Sequence, residues 1–177
     1  MSAKTISFIV PTLGRDTLIR TLASIETHPG DEILILRQTE PIPNDVGNSL
    51  RNKGMDMATG GYLAFIDDDD VYVPGHRNVM AKAIASNTHH RPIIFRMQYH
   101  DGSIVWKKPE FLVGNFGTPT LLVPNIKSHL ISWPTDPKYK GTKVGDFHFM
   151  DKLKWSRTHF IWREEIIAHV RPDSKAK

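Results

Sequence analysis

The chain contains no cysteine. That absence excludes disulfides, thiolate-held zinc and a cysteine nucleophile, and it suits a reducing compartment, so a cytoplasmic location is the expectation. No apolar run approaches the roughly 20 residues that a membrane-spanning helix needs. Nor does Met1-Ser2-Ala3-Lys4 have the charged-then-apolar plan of a signal peptide. Basic residues are dispersed, with no basic helix and no aromatic-basic repeat, so a nucleic-acid partner is not expected. Internal repeats and a dividing linker are missing too.

What remains is 177 residues, 40% hydrophobic and 24% charged, enough apolar material for one globular domain with a real core. The formal charge of +4 agrees with an anionic ligand such as a nucleotide, and equally with an ordinary solvated surface. Ile6-Ser7-Phe8-Ile9-Val10 reads as a first strand that Pro11 should halt. Asp16 or Thr17 then offers a cap for a helix carrying Leu18, Leu22 and Ile25 on one face. Ile33-Leu34-Ile35-Leu36 is a second buried strand. A turn with Pro41 and Pro43 leads to a helix over about 45–58, capped near Asn44 or Asp45. Tyr62-Leu63-Ala64-Phe65-Ile66 is a third strand. This alternation is the pattern of βαβ units and a parallel sheet.

The third strand runs straight into Asp67-Asp68-Asp69-Asp70. Open α/β sheets bind ligands outside the carboxyl ends of their strands, so the acids fall where a ligand is expected. Adjacent carboxylates repel one another, and a hard divalent cation bridging phosphate oxygens relieves that repulsion. A solvated acidic turn is the plain alternative. Beyond Pro74-Gly75 the pattern gives a helix at about 76–86. Short strands follow at Pro92–Met97, Ile104–Trp106 and Thr120–Val123, suggesting an antiparallel or mixed extension. A mobile loop is expected at 134–145, then a helix near 146–155 and a last strand near 160–170.

Phe8-Ile9-Val10-Pro11-Thr12-Leu13-Gly14-Arg15, Arg51-Asn52-Lys53-Gly54, Ala58-Thr59-Gly60-Gly61-Tyr62 and Phe65-Ile66-Asp67-Asp68-Asp69-Asp70-Val71-Tyr72-Val73-Pro74 occur in that order. Together they resemble the GT-A fold glycosyltransferases, specifically the family-2-like group with its DxD motif. Gly145-Asp146-Phe147-His148-Phe149 is a looser echo of that group's Glu-Asp-aromatic motif. The resemblance implies an α/β fold with a mainly parallel, Rossmann-like sheet flanked by helices and a short mixed C-terminal extension. It implies one GT-A domain over 1–177, with a nucleotide-binding half of about 1–90 and a reduced acceptor-side half of about 91–177.

The resemblance further implies transfer of a sugar, of hexosyl type, from a nucleoside-diphosphate sugar to an acceptor hydroxyl, with Mn²⁺ or Mg²⁺. Asp69 would ligate the metal, with Asp67 and Asp68 binding metal, ribose or metal-bound water, while Asp70 orients the turn. Pro11, Thr12 and Arg15 would line the nucleotide cleft. Arg51 would contact the nucleotide or steady the acids. Asp146 would be the general base of an inverting reaction, a helix N-cap being its structural alternative. His169 would be an extra metal ligand, against the ordinary reading of a satisfied strand histidine. Trp106, Trp133, Trp155 and Trp162 offer sugar-stacking faces, with core packing the default.

Two departures stand out. Arg37-Gln38-Thr39 occupies the place where many members carry a base-reading Asp; an arginine cannot accept a hydrogen bond, leaving Gln38 as the candidate base reader. Gly145 replaces the Glu before Asp146. The short second half implies that a large acceptor or a homo-oligomer completes the site. Two rival readings are a GT-A domain that binds nucleotide or glycan without turnover, and a haloacid-dehalogenase-type phosphatase with Asp67 as nucleophile.

Overall fold

The computed structural model describes residues 4–40, 42, 45–135, 145–153, 155 and 159–173. Strand β1 (Ile6–Thr12), helix α1 (Thr17–Ser24), strand β2 (Glu32–Arg37), helix α2 (Asn48–Met57) and strand β3 (Tyr62–Phe65) follow the expected alternation. They are followed by β4 (Val71–Tyr72), α3 (His76–Ser86), β5 (Ile93–Tyr99), β6 (Ile104–Val105), β7 (Leu121–Pro124), α4 (Gly145–Lys152) and β8 (Ile161–Val170). Most of the expected mobile loop, residues 136–144, lies outside the described residues.

The strand order is β2-β1-β3-β7-β5-β8-β4, with β6 beside β5. β1 is parallel to β2 and β3, and β5 is parallel to β8. β7 is antiparallel to β3 and β5, while β4 and β6 are antiparallel to β8 and β5. Five strands therefore share one direction, and the carboxyl ends of β1, β2, β3, β5 and β8 point the same way. The sheet curls: although β4 is at the far end of the order, its Tyr72 hydroxyl donates to the Phe65 carbonyl at 3.3 Å, and its ring meets Phe8 edge-on at 5.8 Å.

Alternation along the strands sorts side chains into two cores, because successive residues face opposite sides of a sheet. Phe8, Val10, Tyr62 and Ala64 face Leu18, Leu22, Met80 and Ala83 of α1 and α3. Ile9, Leu63 and Phe65 face Met55, Phe149 and Met150 of α2 and α4, together with Trp133. Gly54 lets α2 lie close on the sheet, since a Cβ there would come within 2.6 Å of Ile9 Cγ2.

Two boundaries, one cap and the burial of β2 differ from the sequence reading; β2 is an edge strand, so it is only partly buried and Ile35 is exposed. Pro11 does not halt β1, which continues to Thr12 with Pro11 opposite Leu36. The side on which its missing N–H would matter faces β3, and β3 has already ended at Phe65. α2 begins at Asn48 rather than at about 45, because Val46 and Gly47 have φ of 46° and 84°, outside the helical range. Asp45 still serves the helix start: its carboxylate accepts the Ser49 N–H at 3.0 Å and the Ser49 hydroxyl at 2.7 Å. Asp16 makes no side-chain cap bond to α1.

Candidate active site at the acid turn

Asp67–Asp70 form a tight turn between β3 and β4, closed by the Asp70 N–H donating to the Asp67 carbonyl at 3.1 Å. It is fixed from three directions. The Thr21 hydroxyl of α1 donates to the Asp70 carbonyl at 2.7 Å. The Thr12 hydroxyl at the end of β1 donates to Asp68 at 2.6 Å. The Arg171 N–H, just past β8, donates to the Asp70 carboxylate at 3.0 Å. An acidic run that would be a solvated turn elsewhere is thus a rigid floor here, with Asp68 and Asp70 buried.

Three arginines balance it. Arg51 is buried, grips Asp67, and donates to the Val46 carbonyl at 2.9 Å and Asn48 Oδ1 at 3.0 Å. Its guanidinium lies 5.0 Å from the Trp133 ring centre. Arg15 bridges Asp68 and Asp69, both at 3.1 Å, and Arg171 reaches Asp69 at 3.3 Å. The acids therefore sit in a network of one buried and two exposed cations.

The turn floors a cavity of about 370 Å³, within the size range of small-molecule sites. Pro11, Thr12, Arg15 and Gln38 line it along with Asp67, Asp68 and Asp69. Arg51 does not; it lies beneath the acids and steadies them. Leu13, Ile42, Val46 and Leu50 supply an apolar wall, and Asp45, Gly47 and Arg171 complete the lining. These last residues were not legible as site residues. Arg171 had one usable signal: it follows a strand parallel to the others, so it falls at the ligand-binding edge.

Asp67, Asp69 and Asp70 each offer a carboxylate oxygen within 4.8 Å of the others, a hard-oxygen set suited to Mg²⁺ or Mn²⁺. Burial, followed by the like charges of Asp67 and Asp69, pushes the Asp70 carboxyl up to about 8. It is a group short of counter-charge, as a cation site requires. This changes two sequence assignments. Asp70 joins the metal-capable set rather than only orienting the turn, and Asp68 is turned instead toward Thr12 and Arg15. His169 sits on β8 opposite Val71 and is not part of the set.

Asp146 opens α4, half-buried, and accepts the N–H of Phe147 at 2.8 Å. Burial pushes its carboxyl up to about 6, against that hydrogen bond and the nearby charge of Arg51; Asp67 adds a further upward push. Arg51 and Asp67 thus act on Asp146 as well as on each other. The Arg51-Asn52-Lys53-Gly54 segment acquires a physical account. Arg51 holds the acid turn, Asn52 exchanges hydrogen bonds with the Trp133 backbone at 2.7 and 3.1 Å, and Gly54 allows contact with Ile9. Trp133 and Trp106 are buried, Trp133 stacking on Phe149 at 4.2 Å. Trp155 and Trp162 are half-buried and pack against His129 and Trp106.

This curled sheet, with its acid turn beyond the third strand, is the GT-A fold. The sequence pattern of glycosyl transferase family 2 matches residues 44–153, and the chain belongs to that family. No curated protein matches the sequence. Among solved structures, S. aureus TarS superposes with a TM-score of 0.71 at 14% identity, covering 94% of this chain and 36% of that one. TarS 1–349 in complex with UDP gives 0.64 at 14% identity, covering 94% and 60%. A197 from STIV gives 0.55 at 18%, covering 97% and 92%. At these identities the likeness is one of fold, and the chain spans little more than a third of the length of TarS. Among the described residues no helix is long and apolar enough to cross a membrane.

Proposed function

We propose that this domain transfers a sugar from a nucleoside-diphosphate sugar to an acceptor hydroxyl, with inversion and with Asp146 as the base. The observation that carries the reading is an acid turn flooring a cavity with one apolar wall, together with the Asp146 carboxyl, which lies outside the cavity lining but close enough to Asp67 and Arg51 for their charges to act on it. The nucleoside base lies against Leu13, Ile42 and Val46 with Gln38 at its polar edge, and the diphosphate lies toward Arg15 and the acids. TarS has been solved with UDP and with UDP-GlcNAc, which supports this class of donor without identifying the base or sugar used here.

The acceptor oxygen bonds to the anomeric carbon as the bond from that carbon to the phosphate oxygen breaks. The electron pair leaves on the diphosphate, and the acceptor proton passes to a carboxylate oxygen of Asp146. A carboxyl near 6 suits a general base, being mostly ionised at neutral pH yet basic enough to take a proton. Asp67, Asp69 and Asp70 would hold Mn²⁺ or Mg²⁺, which when bound neutralises charge building on the departing diphosphate. Arg51 keeps Asp67 aimed, and Thr12 does the same for Asp68.

Membership of glycosyl transferase family 2 supports this reading over a phosphatase with Asp67 as nucleophile. The remaining alternative is binding without turnover. A panel of nucleoside-diphosphate sugars, incubated with the protein and Mn²⁺, separates the two by release of nucleoside diphosphate. Release that disappears in Asp69→Ala supports the transferase. Nucleotide-dependent thermal stabilisation with no release from any donor would replace it with the binding module.

A further inference from the structure

We infer that Arg171 binds the leaving diphosphate, and that its ion pair with Asp69 is a resting contact surrendered when a cation and diphosphate enter. The inference rests on the proposed donor class and adds a residue to it. Of the three arginines on the acid turn, Arg51 cannot move: its side chain is 4% exposed and held by Asp67, Val46, Asn48 and the Trp133 face. Arg171 is the opposite case. Its side chain is 62% exposed, lines the cavity and, among the described residues, makes one ion pair, with Asp69 at 3.3 Å.

Its backbone, by contrast, is fixed. The Arg171 N–H donates to Asp70 at 3.0 Å, and the preceding Val170 is paired with Tyr99 in the sheet. Arg171 also has φ of 47°, a left-handed conformation that a long side chain seldom adopts. Residues held this way are retained where the surroundings over-determine them, and such positions cluster at ligand clamps. A fixed base carrying an exposed cationic head at a cavity edge is what recognition of a mobile anion requires.

Charge gives the direction of the exchange. A diphosphate cannot approach Asp67 and Asp69 without positive charge between them. A divalent ion on the carboxylates competes directly with Arg171 for Asp69. The displaced guanidinium is then within reach of the phosphate oxygens, so one event prepares both the metal site and the anion clamp. Arg171 follows β8 and Arg15 follows β1, and both reach the same Asp69 oxygen, so two arginines from different strands stand ready for the diphosphate.

The test compares wild type, Arg171→Ala, Arg171→Lys and the control Arg163→Ala, a β8 variant outside the cavity lining. Mn²⁺ alone, inorganic pyrophosphate with Mn²⁺, and UDP with Mn²⁺ are titrated calorimetrically, with circular dichroism to confirm folding. Arg171→Ala should weaken pyrophosphate and UDP binding about tenfold or more, as expected for a lost charged hydrogen bond. Binding of Mn²⁺ alone should stay equal or tighten, because a competing cation has gone. Arg171→Lys should recover part of the diphosphate affinity. Equal diphosphate affinity in wild type and Arg171→Ala overturns the inference while leaving the transferase reading intact. So does weakening of Mn²⁺ and diphosphate together, the signature of a side chain that merely shapes the turn. A wild type that binds neither pyrophosphate nor UDP sinks both this inference and the donor class.

Discussion

The hydroxyl of Thr12 donates to the buried carboxylate of Asp68 at 2.6 Å, joining the ends of β1 and β3 across 56 positions of sequence. The same hydroxyl accepts the Gly14 N–H at 2.8 Å, so one side chain shapes the turn after β1 and the acids beyond β3. Thr12→Val keeps the side-chain volume and removes both bonds. It should cost about 1–3 kcal/mol, the range for leaving a buried polar group unsatisfied. Urea unfolding measures this; an unchanged midpoint would show that water replaces Thr12 without cost.

Asp146→Asn should lower turnover by about 10²–10⁴-fold with nucleotide affinity nearly intact, the range for loss of a general base. If the proposed transfer is assayed in the native protein, kcat should rise with pH through about 6 and then level off, since the base acts when ionised. The stability effect has the opposite sign. A carboxyl raised in the folded state above its ordinary 3.8 penalises the fold as pH climbs from the unfolded value to about 6. Asp146→Asn should therefore melt no lower than wild type at pH 7. A variant that keeps full turnover removes Asp146 from the chemistry.

Asp70 gives a sharper case. Its folded value near 8 means that metal-free protein loses stability as pH rises from about 4 toward 8. Added Mn²⁺ should restore melting temperature, and more at pH 8 than at pH 6, because it replaces a proton. Asp70→Asn should flatten the metal-free pH dependence and abolish most of the Mn²⁺ shift. A calorimetric scan at both pH values reads the two effects separately.

Away from the site, Asp31 accepts Arg77 Nε at 2.6 Å and Nη2 at 2.9 Å, and also the N–H groups of Ile6 and His28. Burial opposes ionisation of Asp31, yet the Arg77 bonds and the two backbone N–H groups win, and its carboxyl lies below the usual range. Its stabilisation is present above the unfolded value and fades as pH falls through the folded one. Asp31→Ala should cost about 3–5 kcal/mol at pH 7 because it leaves Arg77 buried without its partner. Thermal unfolding decides this, and a loss below about 1 kcal/mol would mean that water reaches the arginine.

Gly54→Ala tests the helix contact. The new Cβ would stand 2.6 Å from Ile9 Cγ2 and 3.2 Å from Leu36 Cδ2, so α2 must shift. A cost of about 1–3 kcal/mol is expected for such overpacking, despite alanine's better helix propensity. Since α2 also carries Arg51, the displacement should disturb the acid turn and weaken Mn²⁺ binding.

Much of the first half was legible. The apolar runs of β1, β2 and β3 are short and bounded by Pro, Gly or acids; burial of both faces makes β1 and β3 continuous rather than alternating, whereas β2 lies at the sheet edge and is only partly buried. Placement of the acids beyond β3 followed from strand direction alone. The second half was harder to read, because β5, β7 and β8 pair out of chain order and local pattern does not encode partners. Arg51 shows the limit within a motif: its position was readable, but whether it faces a ligand or lies under Asp67 depends on Trp133, far along the chain.

The order of residues by itself determined the alternating α/β plan, the direction of the leading strands and the presence of acids at a ligand-binding edge, because these depend on local periodicity and turn chemistry. Tertiary structure decided which acids face one another, which arginine is buried and which are exposed, and that the Asp146 carboxyl is pushed up to about 6. Those outcomes depend on burial and on distances between groups remote in sequence. Charge and solvation are properties of the assembled space around an atom, and a linear pattern does not carry them.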